Sequence, residues 1–323
     1  MDQKIILATD HGIKVVQKSG DHWENSYGAL INHKFTAVDQ KGNAVLAGTT
    51  NGVFLSLDVG RTWREVNNGL THRHVRAISF HPEDPNLAFV GTEPAAIFVS
   101  RDRAETWQEI PEVAQLRRKY DWYLPYSPNE GCVRAFAFQN SRGYAAVEQG
   151  GFLRSNDRGG TWHLMDPEED DSRVDSSSPW VHPDVHSIFI HPSSKDQVFV
   201  PTGGGLYYST AGGRSWDHLN DRYCRAVWVD PFRASHIILG TAVGPDRNGR
   251  IIESINGGET WDTRMDGLET VWEDRMVEEF IHFDDQLIAL LSDGVVISAA
   301  VDSLHWQQMF GEILDVRAAC VIL

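Results

Sequence analysis

The sequence predicts an all-β protein: a seven-bladed β-propeller with four-stranded blades, one domain over residues 1–323, its ring closed by the C-terminal strand. Three observations predict this. Seven of the eleven tryptophans recur along the whole chain, as Trp23, Trp63, Trp107, Trp162, Trp216, Trp261 and Trp306. Their separations are 40, 44, 55, 54, 45 and 45 residues, the period of propeller blades. The two ends of the chain are out of phase with the repeat in a complementary way.

Each repeat holds four strand candidates. In the copy around Trp107 these are Val75–Phe80 (A), Leu87–Val90 (B), Ile97–Ser100 (C) and Thr106–Ile110 (D). The chain opens with Lys4–Thr9, which matches a B strand, and closes with Val316–Leu323, which matches an A strand. The last strand is therefore expected to complete the first blade, removing the exposed edges of an open sheet.

The C-to-D connection carries the clearest motif. Ser56-Leu-Asp-Val-Gly-Arg-Thr-Trp63 is matched by Ser100–Trp107 and Ser155–Trp162; Ser209–Trp216 and Ser254–Trp261 keep the spacing but lose the Asp. An apolar strand runs into a turn that the Asp side chain can cap and where Gly tolerates positive φ. The motif resembles the Asp-box, or BNR, repeat of sialidases, sortilin-type receptors and photosystem assembly factors. The resemblance implies a propeller. It does not carry one activity, because families with different activities share the repeat.

Composition narrows the function. Lys plus Arg number 29 against 45 Asp plus Glu, a formal charge of -16. Such a surface repels nucleic-acid backbones and anionic membranes, so neither is an expected partner. Apolar runs are far shorter than a membrane span, and the N-terminus has no signal-peptide core. Three cysteines, Cys132, Cys224 and Cys320, argue against a disulfide framework. The expected compartment is the cytoplasm.

Strand direction places the B–C and D–A loops at one end of the blades and the Asp-containing turns at the other. The irregular inserts share the first end: residues 111–131 with Tyr120, Trp122, Tyr123 and Tyr126, residues 166–184 with Trp180 and His182, the loop 242–249, and Trp272. Long loops on one rim of a rigid scaffold are a usual place for binding. The aligned starts of the A strands read Thr36, Arg76, Arg134, His186, Arg225, Glu278 and Arg317; the ends of the B strands carry a hydroxyl in six copies and Glu148 in the other.

These residues offer several chemistries. Arg76, Arg134, Arg225 and Arg317, with His186, could bind an anionic ligand, or pair internally with Glu278, Glu148, Asp184 and Asp315. His182, Asp184 and His186, with Glu148, could hold Zn²⁺, Fe²⁺ or Mn²⁺, or form a His–carboxylate pair. Glu148, Glu278 and Tyr223 are candidates for acid–base or nucleophilic roles. Trp122, Trp180 and Trp272 could stack on a sugar, or pack the loops. Sialidases use three arginines, a Tyr/Glu nucleophilic pair and an Asp; the arginines here and Tyr223 with Glu278 or Glu148 could imitate the first two. The sialidase fold has six blades, however, and no Arg-Ile-Pro triplet precedes the first repeat here. The leading expectation is recognition of a small polar, anionic or sugar-like ligand. The alternatives are a metal-dependent hydrolase or lyase and a scaffold for protein partners.

Overall fold

A computed structural model describes residues 3–20, 22–166, 178–268 and 272–322. In chain order the first blade has β1 (Lys4–Thr9), β2 (Gly12–Ser19) and β3 (His22–Ala29). The second has β4 (Phe35–Lys41), β5 (Ala44–Thr49), β6 (Gly52–Ser56) and β7 (Arg64–Glu65). The third has β8 (His74–Phe80), β9 (Ala88–Glu93), β10 (Ile97–Ser100) and β11 (Gln108–Glu109), followed by α1 (Pro111–Lys119). The fourth has β12 (Cys132–Gln139), β13 (Arg142–Glu148), β14 (Gly151–Ser155) and β15 (His163–Leu164). The fifth has β16 (Phe189–Ile190), β17 (Val198–Thr202), β18 (Gly205–Ser209) and β19 (Asp217–Asn220). The sixth has β20 (Tyr223–Asp230), β21 (Arg233–Ala242), β22 (Arg250–Ser254) and β23 (Asp262–Thr263). The seventh has β24 (Val277–Phe283), β25 (Gln286–Leu291), β26 (Val296–Ala300) and β27 (Gln307–Gln308), and the chain ends with β28 (Val316–Ile322).

These strands form seven four-stranded antiparallel sheets, a seven-bladed β-propeller. As the sequence predicts, β28 joins the first sheet: Ile6 pairs with Cys320 and Leu7 with Ala319. The chain divides into two compact units, Met1–Phe136 with Met309–Leu323, and Ala137–Gln308. No helix among the described residues is long and apolar enough to cross a membrane.

Two departures from the expected strands have local causes. The outer strand of the third blade begins after Trp107, because the Trp107 amide donates to Asn68 O of the preceding blade. The fifth blade has a short A strand. His186 N still donates to Pro201 O, and Gly203 N to Asp184 O, at 3.0 and 2.8 Å. Pro201 has no N–H to return, so the ladder is interrupted there.

The repeated turns follow the proposed mechanism. Asp58 Oδ1 accepts from the Arg61 and Thr62 amides at 3.1 and 2.8 Å, Oδ2 accepts from Thr62 Oγ1 at 2.7 Å, and Ser56 Oγ accepts from Gly60 N at 2.8 Å. Asp102 and Asp157 accept from Thr106 and Thr161 in the same way. In the sixth blade Asn256 stands in, with its Oδ1 accepting from Thr260 N at 3.0 Å. The residue at the Gly60 position has φ +82° there and +67° at Ala104, a conformation that favours glycine.

The repeated tryptophans do more than cover the turn. Trp63 and Trp162 donate to the carbonyls of Gly60 and Gly159 in their own turns. Trp107, Trp261 and Trp306 donate instead to Val66, Leu219 and Arg264 of the preceding blade. They join blades as well as close hairpins. Between the second and third blades, Leu46, Val53 and Leu55 pack with Val75, Phe80, Ala88 and Val90. That packing explains the small residue before the strand-B hydroxyl: a Cβ at Gly48 would lie 2.4 Å from Val75 Cγ1, and one at Gly240 2.6 Å from Val277 Cβ.

Candidate functional site

The aligned A-strand position is a β-bulge in at least five blades among the described residues. Phe35 pairs with Thr49 and Ala37 with Gly48, leaving Thr36 as the extra residue. Arg76, Arg225, Glu278 and Arg317 are skipped in the same way. A bulge leaves one residue out of the ladder and re-aims its side chain. The residue before each bulge packs inward, as Val75 and Val277 do against the neighbouring blade. The fold thus fixes the backbone on both sides of a position whose side chain is free to vary.

In the second unit, the bulge residues Arg225 and Glu278 meet. Arg225 Nη1 donates to Glu278 Oε1 and lies 3.5 Å from Asp246 Oδ1. Arg225 Nε donates to the Tyr223 hydroxyl at 2.9 Å. The Tyr223 ring is 5.0 Å from that of His186, whose Nε2 lies 3.4 Å from Asp184 Oδ2. The His186 side chain is 1% exposed and that of Arg225 14%. Ser187 Oγ donates to Arg225 O at 2.7 Å, fixing the bulge from the preceding blade. Elements of three blades therefore hold one guanidinium between a phenol and two carboxylates.

In the first unit, Arg76 Nη1 donates to Glu93 Oε2 at 3.1 Å. The other oxygen, Oε1, accepts from Ser127 Oγ at 2.8 Å and Asn129 Nδ2 at 3.0 Å, so the insert 111–131 is fastened over its own blade. Arg117 reinforces this by donating to Ala95 O and pairing with Glu130. Burial alone would raise the Glu93 carboxyl. The hydrogen bonds from Asn129 and Ser127, with the Arg76 charge, outweigh it and hold the group below the usual carboxylate range. Burial, aided by Arg76, lowers His74 against the opposing pull of Glu93. Arg317 grips Asp10 Oδ2 through Nε and Nη2, at 3.0 and 2.5 Å, and Lys34 Nζ stands 3.3 Å from Asp10 Oδ1. Burial would raise Asp10, but these two cations lower it.

Of the four arginines, Arg76, Arg134 and Arg317 lie in the first unit and Arg225 in the second. Arg134 is half-buried on β12. Of the expected acidic partners, Glu278 pairs with Arg225; Asp315 instead lies 3.7 Å from Lys14, and Glu93 and Asp10 pair with Arg76 and Arg317. Sequence reasoning missed Glu93 and Asp10. Each directly follows the strand-B hydroxyl, Thr92 or Thr9, and that offset was a readable signal. A second was the triplet of apolar residue, Arg and Ala at Val75, Val133, Cys224 and Val316, which marks the bulge in its repeated context.

The four expected metal ligands do not gather. Among the described residues no group of three or more His, Cys, Asp or Glu side chains is placed to share a metal ion. Asp184 and His186 come together, while His182 Nδ1 accepts from Asp184 N at 3.2 Å and its ring packs against Gly204. Glu148 is buried at the end of β13, and the Gly151 amide nearby donates to Pro183 O. Two of the four residues are thus adjacent, and the turn at Pro183 directs His182 to its own backbone.

The aromatic expectation is corrected in part. Trp122 and Trp272 are buried, so they pack the loops and offer no face for stacking. Trp180 is half-buried, and Tyr123 and Tyr126 are exposed. Residues 167–177 of the acidic insert lie outside the described residues. All three cysteines are buried, and burial pushes the Cys224 thiol up to about 12, leaving it inert as a nucleophile.

No protein-family model matches this chain. No curated protein matches it either. Solved structures do. An ancestral GH74 enzyme is 17% identical with a TM-score of 0.65, covering 85% of this chain and 38% of its own. YCF48 bound to D1 peptide is 15% identical with a TM-score of 0.62, covering 93% of this chain and 89% of its own. The GH74 xyloglucanase from Xanthomonas campestris is 14% identical with a TM-score of 0.62, covering 87% of this chain and 46% of its own. The chain spans less than half the length of these two GH74 enzymes. At these identities the likeness is one of fold, and it agrees with the propeller built above.

Proposed function

We propose that the protein recognises a polar, sugar-like ligand at the bulge residues of the second unit, with Arg225, Glu278 and Tyr223 making the contacts and the buried His186 ring supporting that of Tyr223. The observation that carries this reading is the Arg225–Glu278 pair. It places a fixed donor beside fixed acceptors, with the Tyr223 ring alongside, which suits a ligand rich in hydroxyls. Charge balance favours the sugar-like version over the anionic one. Arg76, Arg225 and Arg317 each already face a carboxylate, so a further anion would compete with an internal partner. A neutral hydroxyl-bearing ligand can add hydrogen bonds without breaking these pairs. The match to a xyloglucanase supports the reading only as a use to which this fold is put. The test is a screen of neutral oligosaccharides and sugar acids by thermal shift, followed by calorimetry on the hits. Saturable binding that Arg225→Ala removes, with the fold intact, is expected. Absence of binding across the panel, or hits unaffected by the substitution, contradicts the reading.

A second reading has its own support. The YCF48 structure with a bound D1 peptide matches nearly the full length of both chains. Here Tyr123 and Tyr126 are exposed on an insert that is fastened through Glu93, a rigid aromatic display that suits a peptide. Tyr123→Ala/Tyr126→Ala should abolish peptide capture while leaving sugar binding unchanged.

A further inference from the structure

The repeated turns are not equivalent. In three blades an Asp carboxylate accepts from the turn's own amides and hydroxyl, and in the sixth blade Asn256 does so. In the fifth blade the position is Ala211. The rest of the turn keeps its geometry: Ala211 N and Gly213 N donate to Ser209 Oγ at 3.1 and 2.9 Å, and Gly212 N donates to Asp196 O at 2.9 Å. The donors that the carboxylate would satisfy are also present. They are the amides of Arg214 and Ser215 and the Ser215 hydroxyl, and no described residue accepts from them.

An independent feature stands beside this turn. Arg214 Nε folds back onto Ala211 O at 3.1 Å. Arg154 Nη1 donates to Gly212 O at 3.2 Å, and a Cβ at Gly212 would lie 2.5 Å from Arg142 Nη1. The carboxylate paired in this cluster is Asp196, 2.8 Å from Arg142 Nη1. Three guanidinium groups thus stand about this turn with one carboxylate, Asp196, whose Oδ1 would also lie 2.5 Å from a Cβ at Gly212, in a chain of net charge -16. Burial first, then the Arg142 and Arg214 charges, lower the pKa of Arg154, so its positive charge is held at a cost that a bound anion would offset.

We propose that the fifth-blade turn binds a phosphate-type dianion, which occupies the place of the missing carboxylate. The Arg214 and Ser215 amides and the Ser215 hydroxyl receive its oxygens, and Arg214 and Arg154 supply the charge. A dianion fits better than a carboxylate because the cluster carries more than one surplus positive charge. The site lies at the opposite end of the blade's strands from His186 and does not depend on the proposed sugar site.

The test titrates inorganic phosphate and phenyl phosphate into the full chain at constant ionic strength, with chloride as the control and calorimetry as the readout. Saturable binding with one site per chain is expected, from either the free ion alone or both compounds. Ala211→Asp supplies the turn with the carboxylate found in three of its siblings. It should raise the melting temperature in phosphate-free buffer and weaken phosphate binding by about tenfold or more. Arg214→Gln should weaken binding without raising the melting temperature. Failure of both compounds to bind, or undiminished affinity in both variants, would overturn the proposal.

Discussion

Arg76 and Glu93 pair at 3.1 Å across the first two strands of the third blade, and the same carboxylate holds the insert through Ser127 and Asn129. Glu93 is therefore both the partner of a bulge residue and the anchor of a loop. Its replacement by Ala leaves Arg76 without that carboxylate and releases the insert. The expected loss is on the order of 3 kcal/mol, with faster proteolysis near Tyr123 and Tyr126. Replacing both Arg76 and Glu93 by Met should recover most of the stability but not the protease resistance. Chemical denaturation and limited proteolysis of the three variants check this.

The pairing of β28 with β1 makes the C-terminal strand a structural part of the first blade. Deleting residues 316–323 leaves both β1 and its apolar neighbours exposed. We expect an unfolded or aggregated product, read by circular dichroism and size-exclusion chromatography. A truncated protein that kept the full melting temperature would contradict this role.

Asp39 provides a pH test within the first unit. Burial pushes its carboxyl up to about 6, and hydrogen bonds from the Phe80 and Gln40 amides only partly oppose the shift. A raised folded-state pKa means that the proton favours the fold. The contribution is complete below the unfolded value of 3.8 and is lost as pH rises through about 6. Asp39→Asn should remove this dependence. The stability of the wild type relative to the variant should fall by on the order of 3 kcal/mol between about pH 4 and pH 7. Parallel denaturant melts across that range measure it.

The buried Cys224 gives a chemical check. With its thiol pushed up to about 12, it should resist iodoacetamide in the native protein at pH 8 and react only after unfolding. Peptide mapping of alkylated protein reads this directly.

The blade order was legible because tryptophan spacing and the phase of the two chain ends are properties of sequence alone. Lys4–Thr9 and Val316–Leu323 match the B and A strands of the repeat, which pairs them from sequence alone. The bulges were not read, because register is set by packing between blades: Val75 against Gly48, Val277 against Gly240. Without the bulge, Arg76 and Arg225 are visible as aligned residues and Glu278 is a candidate partner, but Glu93 is not. Glu93 and Asp10 lie one residue past the strands that were aligned, so their pairing with Arg76 and Arg317 went unseen. For Trp122 and Trp272 the sequence leaves stacking and packing open, because a loop aromatic has the same signal whether it faces solvent or core. The adjacency of Asp184 and His186 was legible from alternation along an extended segment, whereas the direction of His182 depended on the turn at Pro183.

The most direct test of the account is calorimetric titration of the strongest sugar hit into wild-type protein, Arg225→Ala and Glu278→Gln. The account predicts saturable binding to the wild type, abolished in the first variant and weakened by about tenfold in the second, with all three chains equally folded. Equal affinity in all three would place the ligand elsewhere and contradict the assignment of Arg225 and Glu278 as the recognition pair.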